Sequence, residues 1–285
     1  MQEEHVGVNR RRFLKTAAVS ALALNLVPGR LGATSFQADT LQVWSCGGLA
    51  EAFNKANLVY KEQVGVRIDY TGAFAAALGK SLLGGAVTEV FAGRVLKLAK
   101  KLREEEKMIY FRPFCFTEYV MITPRGNPAN IQSYEDLARP GVRVILPLGA
   151  SPPGGEAVMG ILKKSGMAED ILKNTVEKES CVIKMMPKII SGKGQASIVE
   201  RRLIRMAEFE GQVEVIPLPE NIFHPGPLTF TIGVMKYARD RRLADHYVDF
   251  VCSREVQDIF ERQGFISAYS DRGKALVEKL GVKDV

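Results

Sequence analysis

Histidine and cysteine are scarce in this chain and tryptophan almost absent, with three, four and one respectively among 285 residues. His5, His224 and His246 lie far apart, and Cys46, Cys115, Cys181 and Cys252 form no C-x-x-C pair. The spacing that holds structural zinc is therefore missing, and neither a metal nor another cofactor is expected. The same scatter gives no disulfide framework. Four cysteines leave three pairings open in an oxidising compartment, and buried free thiols are the expectation. No internal repeat is present. Charge of one sign is also less abundant than the formal net of +7 suggests, because Arg10, Arg11, Arg12, Lys15 and Arg30 stand against only Glu3 and Glu4 at the N-terminus. The remainder is too weakly basic for a nucleic-acid partner. The run KLAKKLREEEK (97–107) mixes both signs at helical spacing and reads as a solvated helix face. What is present, 46% hydrophobic and 25% charged residues, suits a globular protein of one or two domains with a substantial core.

The N-terminus carries the most specific local pattern. NRRRFLK (9–15) precedes the uncharged run TAAVSALALNLV and then Pro28, Gly29 and Arg30. This resembles a twin-arginine export signal, with Arg10 and Arg11 as the pair and Phe13, Leu14 and Lys15 in the expected places, so residues 1–38 are expected to be a signal peptide. The apolar run falls short of the roughly 20 residues that span a bilayer. No cysteine lies near the junction, which argues against a lipoprotein. The resemblance implies the twin-arginine machinery as a partner and a periplasmic or extracytoplasmic location.

Beyond residue 38 strand and helix patterns alternate. LQVWS (41–45), VRIDYTG (66–72) and TEVFA (88–92) read as strands, each followed by a helical pattern: 49–63, 75–83 and 95–106. Three such units predict a mainly parallel sheet flanked by helices. FTEYVMITP (116–124) reads as one long strand. In the second half, Ser133 and Asp136 form a capping-box pattern around YEDLA, and RVILPL (143–148) is a buried strand. SPPGGEAVMGILKKSG enters a helix, QASIVE (195–200), VEVIPLP (213–219) and TFTIGVM (229–235) are strands, and helices resume near Arg241. HPGP (224–227) marks a sharp break. Two lobes joined by crossings near 116–124 and 220–230 account for this order: 39–121 with 227–285, and 122–226.

From Leu41 to Ile266 the chain resembles the periplasmic solute-binding proteins of ABC importers, in particular the molybdate-binding group. The motifs that carry the likeness are VWSCGGLAEAF, GKSLLGGAVTEVFAG, NIQSYEDLARPGVRVILP, SPPGGEAV, GKGQASIVERRL and VDFVCSREVQDIFERQGF. The resemblance implies a two-lobed α/β fold with a ligand cleft between the lobes, a membrane permease as partner, a monomeric state and no enzymatic activity. It also implies that four loops face each other across the cleft. They fall here on Ser45, Cys46, Gly47 and Gly48; on Gly72, Ala73, Phe74 and Ala75; on Ser151, Pro153 and Gly154; and on 198–201, with Glu200 and Arg201.

The physical basis is that a strand turning into a helix through small residues points unpaired N–H groups outward at the positive end of the helix dipole, where a small anion can be held. A molybdate- or tungstate-like oxyanion is the ligand the resemblance implies, and the residues leave a different oxyanion or a small carboxylate open beside it. Two departures bear on it: Gly48 and either Ala75 or Ala76 stand where family members offer serine hydroxyls, and VERRL replaces a tyrosine-containing turn. Arg201 could grip an anion in bidentate fashion, whereas Glu200 would repel one unless paired. Two alternatives stay open. Cys46 at a helix start has the setting of an activated thiol in an exported enzyme, and a sensing or scavenging protein needs the same cleft as an importer component. Strand alternation places Trp44 beside the ligand loop without forming it.

Overall fold

The first apolar run, TLQVWSC, forms strand β1 (Thr40–Cys46), and a short 3-10 turn over Gly47–Leu49 carries the chain into helix α1 (Ala50–Val64). Ala52, Phe53, Ala56 and Tyr60 recur at helical spacing on α1 and are all buried. Strand β2 (Arg67–Ala73), helix α2 (Ala75–Leu83), strand β3 (Val90–Arg94) and helix α3 (Leu96–Glu104) complete the three units, with β1 paired parallel to both β2 and β3. The computed structural model describes residues 36–223 and 228–284. The export-signal residues Arg10, Arg11, Phe13, Leu14 and Lys15, and the HPGP break with His224, lie outside the described residues.

The sheet built on these units is mixed rather than mainly parallel. Its order is β11-β4-β10-β3-β1-β2, and β10 (Thr229–Met235) runs antiparallel to both β3 and β4 (Met108–Thr117), while β11 (Phe265–Ser267) runs antiparallel to β4. The reason lies in the crossings: β4 leaves this sheet toward the second one and β10 returns from it, so the return must point the other way. Pro113, which has no N–H for a ladder, falls beside a register shift in the β4–β10 pair, where a missing donor costs least.

The expected single strand over 116–124 is two. The break is at Glu118, where the chain passes from β4 to β5 (Tyr119–Pro124) in a different sheet. The sheets therefore change three residues ahead of the expected division at 121/122, which falls inside β5. There β5 is the centre strand, antiparallel to β8 (Ser197–Glu200) and β9 (Val213–Pro217). Alongside, β6 (Val144–Leu146) pairs parallel with β7 (Thr175–Lys178) and is bridged in parallel through Val144 to Ala196 at the edge of β8. Helices α4 (Gly154–Ser165), α5 (Ala168–Lys173) and α6 (Val182–Ile190) belong to this half.

Each sheet has its own core. Phe53 stacks on Phe114 at 5.6 Å and meets the edge of Phe260 at 5.2 Å, joining α1, β4 and α8 (Arg254–Arg262), with α7 (Arg241–Val251) packed on the same cluster. The second core gathers Tyr119, Met121, Leu146, Val158, Ile161 and Ile198. Leu276 of the last helix, α9 (Asp271–Leu280), joins this second cluster, so the C-terminal segment does not pack wholly with the first half as the expected division has it.

Gly264 in the final motif has a structural reason. Its φ is +89°, and a Cβ there would lie 2.7 Å from the Arg202 nitrogen and 2.8 Å from the Arg201 carbonyl carbon. Only glycine lets this backbone pass beneath the Arg201–Arg202 turn. Gly264→Ala is therefore expected to cost at least about 1 kcal/mol more than Gly211→Ala, whose positive φ faces open space. In thermal melts that difference appears as a further drop in Tm of about 2–4 °C; equal losses would mean that the close approach does not constrain the turn.

Candidate functional site

The parallel strands release their helices at one edge. β1, β2 and β3 end at Cys46, Ala73 and Arg94, and the register sets Ser45 beside both Gly72 and Ala92, so the three ends lie side by side. In the second half of the fold β6, β7 and β8, from two small sheets, share a direction and end just before Pro147, just before Glu179 and at Glu200. Loops from both sets of ends line a single cavity of about 530 Å³. A crevice at the carboxyl ends of parallel strands is where α/β folds characteristically place ligands. The parallel pairing expected from the sequence is thus concentrated in the strands that build this wall.

Of the residues singled out by sequence, Cys46, Gly47, Gly48, Gly72, Ala73, Phe74, Ala75, Ser151, Pro153, Gly154 and Glu200 line the cavity. Ser45 and Arg201 do not. Ser45 is fully buried on the opposite face of β1, its hydroxyl donating to the Cys46 carbonyl at 3.0 Å and lying 2.5 Å from the Tyr70 hydroxyl. Arg201 turns away to Glu118 at the crossing between the sheets, at 2.5 Å, and its backbone N–H donates to the Glu118 carbonyl at 2.8 Å. Arg202 takes the place expected for Arg201, because β8 ends at Glu200 and a 3-10 turn over Arg201–Arg205 swings the next side chain back to the wall. Arg94, Tyr119 and the Cys181–Ile183 segment were not foreseen. Arg94 could have been suspected from its place as a lone cation at a strand-to-helix junction.

The wall is a set of uncapped helix starts. The Gly47–Leu49 turn, α2, α4, α6 and the Arg201–Arg205 turn all begin on it, and none has a side chain bonded to its first N–H groups. Elsewhere both kinds of start occur: α3 and α5 also lack a side-chain cap. Asp240, Ser253 and Ser270 cap α7, α8 and α9, and Ser133 with Asp136 closes the capping box that the sequence predicts. Uncapped starts leave donors and dipole ends facing the cavity, a setting that favours negative charge.

Three charges sit at the cavity floor. Arg94 Nη2 donates to Glu200 Oε1 at 3.1 Å, and Arg202 Nε donates to Glu200 Oε2 at 2.6 Å. Burial opposes the charge on Glu200, but Arg202 and Arg94 outweigh it and hold the carboxyl at about 2, well below its usual 4.5. Burial and the neighbouring Glu200 push the Tyr119 hydroxyl far up, so it stays neutral, 3.5 Å from Glu200 Oε1. Arg94 is 8% exposed, and its Nε has no hydrogen-bond partner among the described residues. Two arginines and one carboxylate leave one net positive charge, and the pairing of Glu200 answers the repulsion that an unpaired carboxylate would exert.

Cys46 lines the cavity and is buried, but no histidine among the described residues does so. His246 is held by the Tyr60 hydroxyl at 2.9 Å and by the Phe36 ring. All four cysteines are free, with Cys46, Cys115 and Cys252 buried. Trp44 stays off the cavity and packs against the cluster of Leu78, Leu82 and Phe91 beneath α2.

Comparison with known proteins places this geometry. The sequence pattern of the family described as bacterial extracellular solute-binding protein matches residues 41–266. A protein of Mycobacterium tuberculosis named molybdate-binding protein ModA is 25% identical over 240 residues, covering 80% of this chain and 85% of its own. Among solved structures, a substrate-binding domain assigned to a molybdenum ABC transporter from Clostridium difficile superposes with a TM-score of 0.71 at 19% identity, over 80% of this chain and 98% of its own. The periplasmic molybdate-binding protein of Azotobacter vinelandii gives 0.63 at 17% identity, over 79% and 98%. These likenesses show a two-lobed α/β fold.

The charge balance makes a direct prediction. Glu200→Gln leaves two cations on the wall without their counter-charge and is expected to lower stability by about 3 kcal/mol in anion-free buffer at pH 7. The carboxylate contributes fully above about pH 4.5 and loses its effect as the pH falls through about 2, so the gap between variant and parent should close on acidification. Urea melts across pH measure it; a gap that is absent at pH 7 or independent of pH contradicts this role for Glu200.

Proposed function

The chain belongs to the bacterial extracellular solute-binding proteins, and from that premise we propose that it is the extracytoplasmic binding component of an ABC importer, capturing a small anion between its lobes. The observation that carries the proposal is the convergence of uncapped helix starts and the Arg94–Glu200–Arg202 cluster on one cavity. Helix dipoles and backbone donors hold an oxyanion without a full counter-charge, and one residual positive charge adds attraction.

The names of the relatives make molybdate or tungstate the first candidates. Gly48 leaves space beside Arg202: a Cβ there would stand in ordinary contact, 3.5 Å from Arg202 Nε, so a branched side chain would reach further onto the arginine that faces the ligand. In this proposal the Arg10–Arg11 pair directs export through the twin-arginine machinery, the mature protein works as a monomer in the periplasm or outside the cell, and a membrane permease receives the ligand. No step of turnover is assigned to Cys46.

A thermal-shift screen over molybdate, tungstate, sulfate and small carboxylates tests the proposal. A bound anion at about 100 times its Kd adds roughly 2.7 kcal/mol to the folded state, a clear rise in Tm. Cys46→Ser is expected to keep that rise, because backbone donors do the holding. Gly48→Val should weaken binding at least about tenfold, by crowding both the helix start and Arg202. If Cys46→Ser abolishes the response while Gly48→Val leaves it intact, the thiol is the functional group and the proposal is wrong.

A further inference from the structure

The cavity offers more apolar surface than a bare oxyanion can use. Phe74, at the start of α2, is 74% exposed, and Ile183, the second residue of α6, is 36% exposed; both line the cavity, one from each half of the fold. Apolar side chains open on a pocket wall are the kind of surface that organic ligands cover. Pro147, Pro152 and Pro153 line the same space and bring carbon surface without an N–H. The hydroxyls on this wall are those of Tyr119, Ser151 and Ser180; Ser45 is turned away, and Gly48, Ala73 and Ala75 have none to give.

The size and charge of the site agree with this. A volume of about 530 Å³ falls within the roughly 300–1,000 Å³ typical of pockets for organic ligands. Glu200 is ionised and cancels one of its two arginines, so the floor matches a head group bearing a single negative charge better than a doubly charged one. Arg94 and Arg202, the two cations that line the cavity, are where that head group would bond.

We propose that the oxyanion bound here is the head group of a small organic acid, whose carboxylate sits at Arg94, Arg202 and the helix starts and whose apolar body lies between Phe74 and Ile183. The proposal rests on the anion-site reading above and adds the chemical class of the ligand.

Titration calorimetry of the protein with acetate, butyrate, hexanoate and molybdate tests it. Affinity should climb along the carboxylates, by about fourfold for each methylene fully buried, so that hexanoate binds more than tenfold tighter than acetate. Phe74→Ala and Ile183→Ala remove exposed side chains at little risk to folding, and each should reduce the hexanoate-to-acetate affinity ratio several-fold. Molybdate binding with no gain from acetate to hexanoate would overturn the organic-acid proposal and leave the anion site standing. No binding of any of the four would overturn both. A hexanoate gain that survives the Phe74→Ala, Ile183→Ala double variant would overturn the placement of the apolar body between these two side chains.

Discussion

Glu200, held between Arg94 and Arg202, is the interaction on which the rest of the site depends. Arg94 ends a strand of the six-stranded sheet, whereas Glu200 and Arg202 stand at the edge of the other sheet, so the Arg94–Glu200 bond joins the two halves at the floor of the cavity. Ion pairs this deeply buried seldom add net stability, since desolvation offsets most of the attraction. Their presence beside a cavity makes sense if the cations must be kept there for a ligand. In the proposed reading the carboxylate is an internal stand-in that holds the two arginines in place when no anion is bound.

The surrounding backbone follows the same logic. Six strands that share a direction within their sheets end at one wall, and the helices that follow begin there without side-chain caps, although the chain caps its C-terminal helices with Asp240, Ser253 and Ser270. Leaving out a cap costs on the order of 1 kcal/mol of helix stability. That cost recurs around the cavity, and in the proposed function a bound anion would offset it by supplying the missing acceptor. Behind the wall, Glu118 at the crossing between the sheets takes Arg201 at 2.5 Å and Arg272 at 2.8 Å, and Arg272 also reaches Glu220. This second cluster fixes the turn that presents Arg202.

Much of this was legible in the sequence because local patterns and tertiary packing agree. The bounds of α2, β10 and the start of α7 fall where periodicity places them, and the glycine-rich ends of β1 and β2 reach the cavity wall. The failures are those in which neighbouring residues face opposite ways for reasons beyond their own sequence. Ser45 and Cys46 differ by one step of strand alternation, and Ser45 lost the cavity to the Tyr70 side. Arg201 and Arg202 are chemically alike, and only the 3-10 turn and the capture of Arg201 by Glu118 decide which one faces inward. The break at Glu118 lies within a continuous strand-favouring run and follows from a change of sheet, which no local propensity records. Arg94 carries only the weak signal of a lone cation at a strand-to-helix junction, and its role emerges when Glu200, more than a hundred residues later, is brought to it.

The central claim is that backbone donors from both halves of the fold, together with Arg94 and Arg202, hold one anion. Backbone-amide NMR of the 15N-labelled protein, titrated with whichever anion binds most tightly, tests it most directly. The account predicts shifts that follow a single isotherm at Gly48 and Ala76 on one side and at Gly155 and Ile183 on the other, with the Arg94 side-chain Nε–H moving in step. Shifts confined to one half of the fold, or an Arg94 signal that does not respond at saturation, would contradict it.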